Sequence, residues 1–192
     1  MKPVIICIVG ASGSGKTTAS MILQKQFWWN AIVSYTTRPM RQGEKNGVDH
    51  WFVKSSQVPD KSKICAYTKF GGYEYWTEWN QFMTLFPCVY VIDEKGLIDL
   101  QSKESSPFPF TLITIKINRD NLSDIEEKRK ERDSERIQIP DECYDYIINN
   151  NGSMEQFRLS LYLTAKCIIQ KYLNYGSTKR RKPYHSGVHI RL

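Results

Sequence analysis

Gly10-Ala11-Ser12-Gly13-Ser14-Gly15-Lys16-Thr17 fits the pattern G-x-x-x-x-G-K-[ST]. Its composition suits a loop built around phosphate. Glycines let successive backbone N–H groups turn inward around phosphate oxygens, and a following helix adds the positive end of its dipole. Lys16 offers a mobile cation for the β- and γ-phosphates, and the Thr17 hydroxyl offers a hard oxygen for Mg²⁺. A plain strand-to-helix turn has no use for Gly-Lys-Thr at this spacing. Residues 10 to 18, Thr18 included, are therefore read as a site for ATP or GTP. The motif does not say what receives the phosphate.

A second set of residues follows some twenty positions later. Arg38 and Arg41 are two guanidinium forks in a polar stretch, suited to holding a phosphate dianion bidentately, with the Ser34 hydroxyl as a further donor. Glu44 and Asp49 could orient those arginines. Arginines in a polar loop are usually just solvated, but a phosphate-binding loop upstream favours the clamp. Further on, Arg129, Arg132 and Arg136 recur at spacings of three and four and can line one helical face. The plain alternative is a salt-bridged solvated helix, for which Glu126, Glu127, Glu131, Asp133 and Glu135 supply partners.

The elements that must position these groups alternate. Val4 to Val9 is a continuous β-branched run of the kind buried on both faces of a parallel sheet, and Lys16 to Phe27 carries an apolar helical face. Ala31 to Val33 reads as a second strand, and residues 34 to 80 lose helical periodicity and become aromatic and turn-rich. Strands are expected at 88–93, 110–117 and 144–148, with helices near 94–102, 120–136 and 154–173. The expectation is an α/β fold in three layers. Residues 1–33 and 86–175 would form the core with a lid at about 120–140, residues 34–85 a small β-rich insertion that binds the acceptor, and 176–192 a basic flexible tail.

Composition excludes other classes. The formal charge is +7, but Lys179, Arg180, Arg181, Lys182 and Arg191 follow Gly176 with no acidic residue among them, so the excess belongs to the tail. A nucleic-acid partner is therefore not expected. Five cysteines without a C-x-x-C pair point to buried, reduced thiols rather than zinc or disulfides. The first apolar run is too short to span a bilayer. A soluble, cytoplasmic protein without membrane contact is expected, and oligomeric state is not legible.

The stretch from Ser34 to Phe52 resembles the acceptor motif of the guanylate kinase family, S-x-T-T-R-x-x-R-x-G-E-x-[ND]-G-x-D-Y-x-F, with His50 at the position of the motif tyrosine. Phe70-Gly71-Gly72-Tyr73-Glu74-Tyr75-Trp76-Thr77 is similar to the family segment F-x-G-x-x-Y-G-[ST], with Trp76 for its second glycine. The resemblance runs over roughly residues 4 to 170. It implies a P-loop NTPase fold and transfer of the ATP γ-phosphate to a nucleoside monophosphate, GMP or dGMP first. It also implies Mg²⁺ on Thr17 and Asp93, and an acceptor held by Ser34, Arg38, Arg41, His50, Tyr75, Thr77 and Asp93. Lys16, Arg38, Arg129, Arg132 and Arg136 would stabilise the transferring group. His50 would bring pH dependence near neutrality.

The departures bear on specificity. Ala66 and Val91 stand where the family has guanine-reading acids. A site without those carboxylates forfeits two charge-assisted hydrogen bonds, so either Glu74 or Glu78 substitutes or the acceptor differs. A related fold that phosphorylates ribose 1,5-bisphosphate also lacks those acids, which makes a sugar phosphate the alternative acceptor. A silent phosphopeptide-binding module is a third reading, opposed by the intact Gly15-Lys16-Thr17.

Overall fold

The computed structural model describes residues 3–83, 87–103, 110–121, 123, 125, 127–134 and 136–173, without the side chains of 83, 128–130 and 132. The basic run after Gly176 lies outside the described residues.

Strand β1 (Val4–Val9) is buried along its whole length and sits at the centre of a five-stranded sheet. Strand alternation sends Val4, Ile6 and Ile8 to one face and Ile5, Cys7 and Val9 to the other, and each set belongs to a separate apolar cluster. On the first face helices α1 (Lys16–Phe27) and α5 (Met154–Ile168) contribute Ala19, Leu23, Phe157, Leu161 and Ala165. On the second, α3 (Glu94–Gln101) contributes Leu97 and Leu100. A fully apolar strand has no solvent face, so it requires cover on both sides. Three layers follow.

The other strands of this sheet are β2 (Asn30–Ile32), β7 (Cys88–Val91), β8 (Thr111–Asn118) and β9 (Tyr146–Asn149), in the order β2-β7-β1-β8-β9 and all parallel. The second strand starts one residue before the expected position. Because the chain leaves β1 for the far edge and later returns to its other side, a crevice opens at the carboxyl ends of β1 and β7.

Residues 34 to 80 build a second sheet of β3 (Tyr35–Thr36), β4 (Trp51–Phe52), β5 (Ile64–Phe70) and β6 (Tyr73–Glu78), in the order β4-β3-β6-β5. Gly71 and Gly72, both at positive φ, make the two-residue turn between β5 and β6. A short helix α2 (Trp79–Met83) follows β6. The charged helix α4 covers only Glu127–Ser134, against the expected 120–136. Its sequence contains no apolar residue, so packing of an apolar face cannot hold it; Asp133 in its last turn bonds to Ser12. α5 begins with a capping box between Ser153 and Gln156.

Cys7, Cys65 and Cys88 are buried free thiols, as expected, whereas Cys143 and Cys167 are exposed. Cys167 falls between the buried positions Ala165 and Ile168 on α5, and the helical period turns it outward. Among the described residues, no helix is long and apolar enough to cross a membrane.

Candidate active site

The phosphate-binding loop joins β1 to α1. Gly10 passes so close to the Ile117 carbonyl that a Cβ would overlap it, and Gly15, at φ 104, holds a left-handed conformation costly for other residues. Arg119 Nη1 donates to the Gly13 carbonyl (3.0 Å) and Asn150 Nδ2 to the Ser14 carbonyl (2.9 Å), so the residues just after β8 and β9, both on one side of β1, tether the loop. Lys16 Nζ donates to the carbonyls of Gly10 and Ala11, each at 2.7 Å. The Ser12 N–H and hydroxyl donate to the two oxygens of Asp133 at 2.5 and 2.9 Å. A carboxylate from α4 is thus bound to donors of the loop.

The clamp forms around Arg38, which is only 6% exposed. Its Nη1 and Nη2 donate to the two Glu44 oxygens at 3.0 and 2.9 Å, and Nη1 also donates to the Pro39 carbonyl at 2.7 Å. The Phe52 ring lies 5.4 Å from its guanidinium carbon. Burial opposes the charge most strongly, but the hydrogen bonds and charge of Glu44 together with those of Tyr75 outweigh it and hold Arg38 above its ordinary range. Glu44 also accepts from the Arg41 N–H at 2.7 Å and lies 3.9 Å from Arg41 Nη1. One carboxylate therefore positions both arginines. Asp49 does not share this task; it accepts from the Lys45 N–H at 2.8 Å and closes its own turn.

Ser34 Oγ and His50 Nδ1 are 2.9 Å apart, and the imidazole packs edge-on against Tyr75 and Phe52. Burial first, then the Arg38 charge, push His50 down to about 4. The expected near-neutral pH dependence is therefore corrected: the ring is neutral at pH 7. The unfolded-state imidazole, near pKa ~6.5, takes up its proton before the folded one. This group's contribution to stability is present above about pH 6.5 and lost as pH falls toward 4. Since kcat/KM reports the free enzyme, its pH profile for the acceptor should show no His50 inflection between about pH 6 and 8. The His50→Tyr profile should superimpose on it, both carrying only the acceptor's own phosphate ionisation. A step in the wild type that the variant lacks would refute this.

Asp93 caps α3, its Oδ1 accepting from the Gly96 N–H at 2.7 Å. The next residue, Glu94, was missed from the sequence. It is buried and holds Arg136 bidentately, Nε to Oε2 at 3.0 Å and Nη2 to Oε1 at 2.5 Å, while Arg136 Nη1 reaches the Gly10 carbonyl. Glu94 and Asp133 lie 42 and 121 residues from their partners, and no local pattern in the chain marks either pair.

One cleft of about 780 Å³ gathers these groups. Its walls carry Gly10, Ser12, Lys16 and Thr17 from the loop, Ser34, Arg38, Arg41, His50 and Tyr75 from the insertion, and Asp93 with Arg136. Ala11, Gly13, Ser14, Gly15 and Thr18 form the loop backbone and the first helical turn behind them. The side chains of Arg129 and Arg132 lie outside the described residues.

Thr77 is not on the cleft wall: it is fully buried opposite Ala66 in the β5–β6 hairpin. Trp76 is buried too and stacks on Tyr35 (5.5 Å between centroids), because strand alternation turns it away from the Tyr75 face. Neither Glu74 nor Glu78 replaces the missing acids on the cleft wall. Glu74 accepts from the Tyr67 hydroxyl at 2.8 Å, on the face opposite the cleft-lining neighbours Thr68 and Phe70.

A family profile described as Guanylate kinase matches residues 1–159. Among curated proteins, the chain is 31% identical over 175 residues to a guanylate kinase of Protochlamydia amoebophila, covering 81% of this chain and 86% of that one. It is 29% identical over 143 residues to a guanylate kinase of Chlamydia trachomatis, covering 70% and 67%. Among solved structures, guanylate kinase from Anaplasma phagocytophilum superposes with a TM-score of 0.60 at 22% identity, covering 86% of each chain.

Proposed function

Since this chain belongs to the guanylate kinase family and is a nucleoside monophosphate kinase, we propose that its acceptor is GMP or dGMP, converted with ATP to GDP or dGDP. The observation that carries this reading is the single cleft in which Lys16 and the phosphate-binding loop face the clamp of Arg38, Arg41 and Tyr75. The loop would take the ATP phosphates and the clamp the acceptor phosphate. Asp93 remains on the wall as a carboxylate able to accept from guanine N–H groups.

In the transfer, an acceptor phosphate oxygen attacks the γ-phosphorus in line, the new P–O bond forms as the bond to the β-phosphate oxygen breaks, and ADP leaves. The nucleophile is already an ionised oxygen, so no general base is required. Lys16 exchanges its two carbonyl partners for phosphate oxygens and stabilises the charge that develops there. The Asp133 carboxylate must leave the Ser12 donors when phosphate arrives. Arg38 and Arg41, preset by Glu44, lessen repulsion between the acceptor dianion and ATP and fix the line of attack. Arg136 adds charge beside Gly10.

Thr17, exposed on the cleft wall, would hold Mg²⁺ through its hydroxyl, and Asp93 would act on the ion only through its water shell while its carboxylate faces the acceptor. A hydroxyl and a carboxylate are hard oxygen donors, and the described residues contain no cluster of three His, Cys, Asp or Glu ligands. That donor set suits an ion taking most of its ligands from phosphates and water, and the ion would supply charge neutralisation between the two substrates.

Ala66, buried in the core, and the half-buried Val91 favour a second reading, in which the acceptor is a sugar bisphosphate. ADP release with GMP, dGMP, AMP, CMP, UMP, dTMP and ribose 1,5-bisphosphate separates the two. Turnover of guanine nucleotides above the others is expected. Turnover of the sugar bisphosphate alone would replace the first reading with the second.

A further inference from the structure

Beyond the phosphate clamp, the cleft wall carries Thr68, Phe70, Tyr90 and Asp93. Thr68 lies on β5 directly across from the clamp residue Tyr75. Thr68 is 7% exposed, and its Oγ1 is shielded from solvent and reaches no partner in ordinary hydrogen-bond geometry, although the Asp93 carboxylate lies near enough to feel it. A buried hydroxyl left unpaired is costly, and on the wall of a binding cleft it has an evident use once a ligand arrives. Strand alternation points Thr68 the same way as Phe70, toward the wall where Asp93 stands. Burial raises the Asp93 carboxyl, while the Gly96 N–H and the nearby Thr68 hydroxyl act against that rise.

An acceptor whose phosphate rests on Arg38 and Tyr75 must extend its remaining atoms past Thr68 and the rings of Phe70 and Tyr90. Glu74, the nearest carboxylate on the paired strand, is held by Tyr67 on the other side of the hairpin. Besides the Tyr90 phenol, which faces Thr77, the hydrogen-bonding side chains on this stretch of wall are the Thr68 hydroxyl and the Asp93 carboxylate, which together match a planar edge presenting an acceptor atom beside an N–H. Resting on the nucleotide-acceptor reading above, we propose that Thr68 is a specificity-determining residue whose hydroxyl, together with Asp93, reads the edge of the acceptor nucleobase. Thr68 donates to a ring nitrogen or carbonyl oxygen, and Asp93 accepts from the neighbouring N–H. Two positions along the strand from Ala66, Thr68 supplies polarity that Ala66 lacks.

Thr68→Val keeps the shape and removes the hydroxyl; Thr68→Ser keeps the hydroxyl. At saturating Mg-ATP, the KM of whichever nucleotide the wild type prefers should rise about tenfold or more in Thr68→Val, with kcat changed less than about threefold. Thr68→Ser should restore KM to within about threefold of the wild type. Inhibition by ribose 5-phosphate, which has the phosphate but no base, should be equal in all three proteins. Thermal melting should be unchanged or raised in Thr68→Val, since an unpaired buried hydroxyl is gone. An unchanged nucleotide KM, or a parallel weakening of ribose 5-phosphate inhibition, would overturn the assignment while leaving the kinase reading intact. A wild type that phosphorylates ribose 1,5-bisphosphate and no nucleotide would overturn both.

Discussion

Lys16→Ala is expected to lower ADP formation by about a thousandfold or more at saturating substrates, the largest single effect on turnover in the chain. The ammonium is the cation that the loop itself presents to the cleft, and its two carbonyl partners at 2.7 Å hold it beside the phosphate path. Alanine removes that charge where it is needed most, beside the transferring phosphate. Stability should barely change: Lys16 is half-buried, it opens α1, and alanine is a strong helix former. The check is steady-state ADP release together with thermal melting by circular dichroism. Lys16→Arg should not rescue activity, because a planar guanidinium cannot replace a compact ammonium inside a close-fitting loop. Turnover within tenfold of the wild type in Lys16→Ala would refute the role given to this residue.

Arg136→Met is expected to destabilise the protein by about 3–5 kcal/mol, the largest effect on stability among these variants. Both side chains of the Arg136–Glu94 pair are 8% exposed, so removing the arginine strands a buried carboxylate. Adding Glu94→Gln removes that stranded charge, and the double variant should regain most of the lost stability, as read by urea denaturation. Activity should not return with it. Arg136 also donates to the Gly10 carbonyl and lies 4.0 Å from Asp133, so its charge stands at the phosphate-binding loop itself. A double variant that recovered both stability and full turnover would show that Arg136 serves only the fold.

Residues whose role depends on near neighbours in the chain are legible in the sequence. Val4 to Val9 announces a strand buried on both faces because every residue is apolar, and the Gly-Lys-Thr ending that follows can cradle phosphate with its own backbone. Arg38, Arg41 and Glu44 lie within seven residues of each other, so their pattern survives as a local motif, and the structure finds them hydrogen-bonded. Side chains whose role depends on packing between distant segments are not legible there. Thr77 matches a motif position and is fully buried, while Trp76 stacks on Tyr35. His50 loses its expected near-neutral titration to burial beside Arg38. Glu94 and Asp133 acquire their partners only when α3 and α4 are brought to the loop after β1. The sequence alone determined the phosphate-binding loop, the clamp and the α/β alternation, because each is written in local spacing. Tertiary structure alone decided which carboxylates pair, which hydroxyls lie buried outside ordinary hydrogen-bond geometry and which ring is neutral, since burial and charge are set by neighbours that chain order does not reveal.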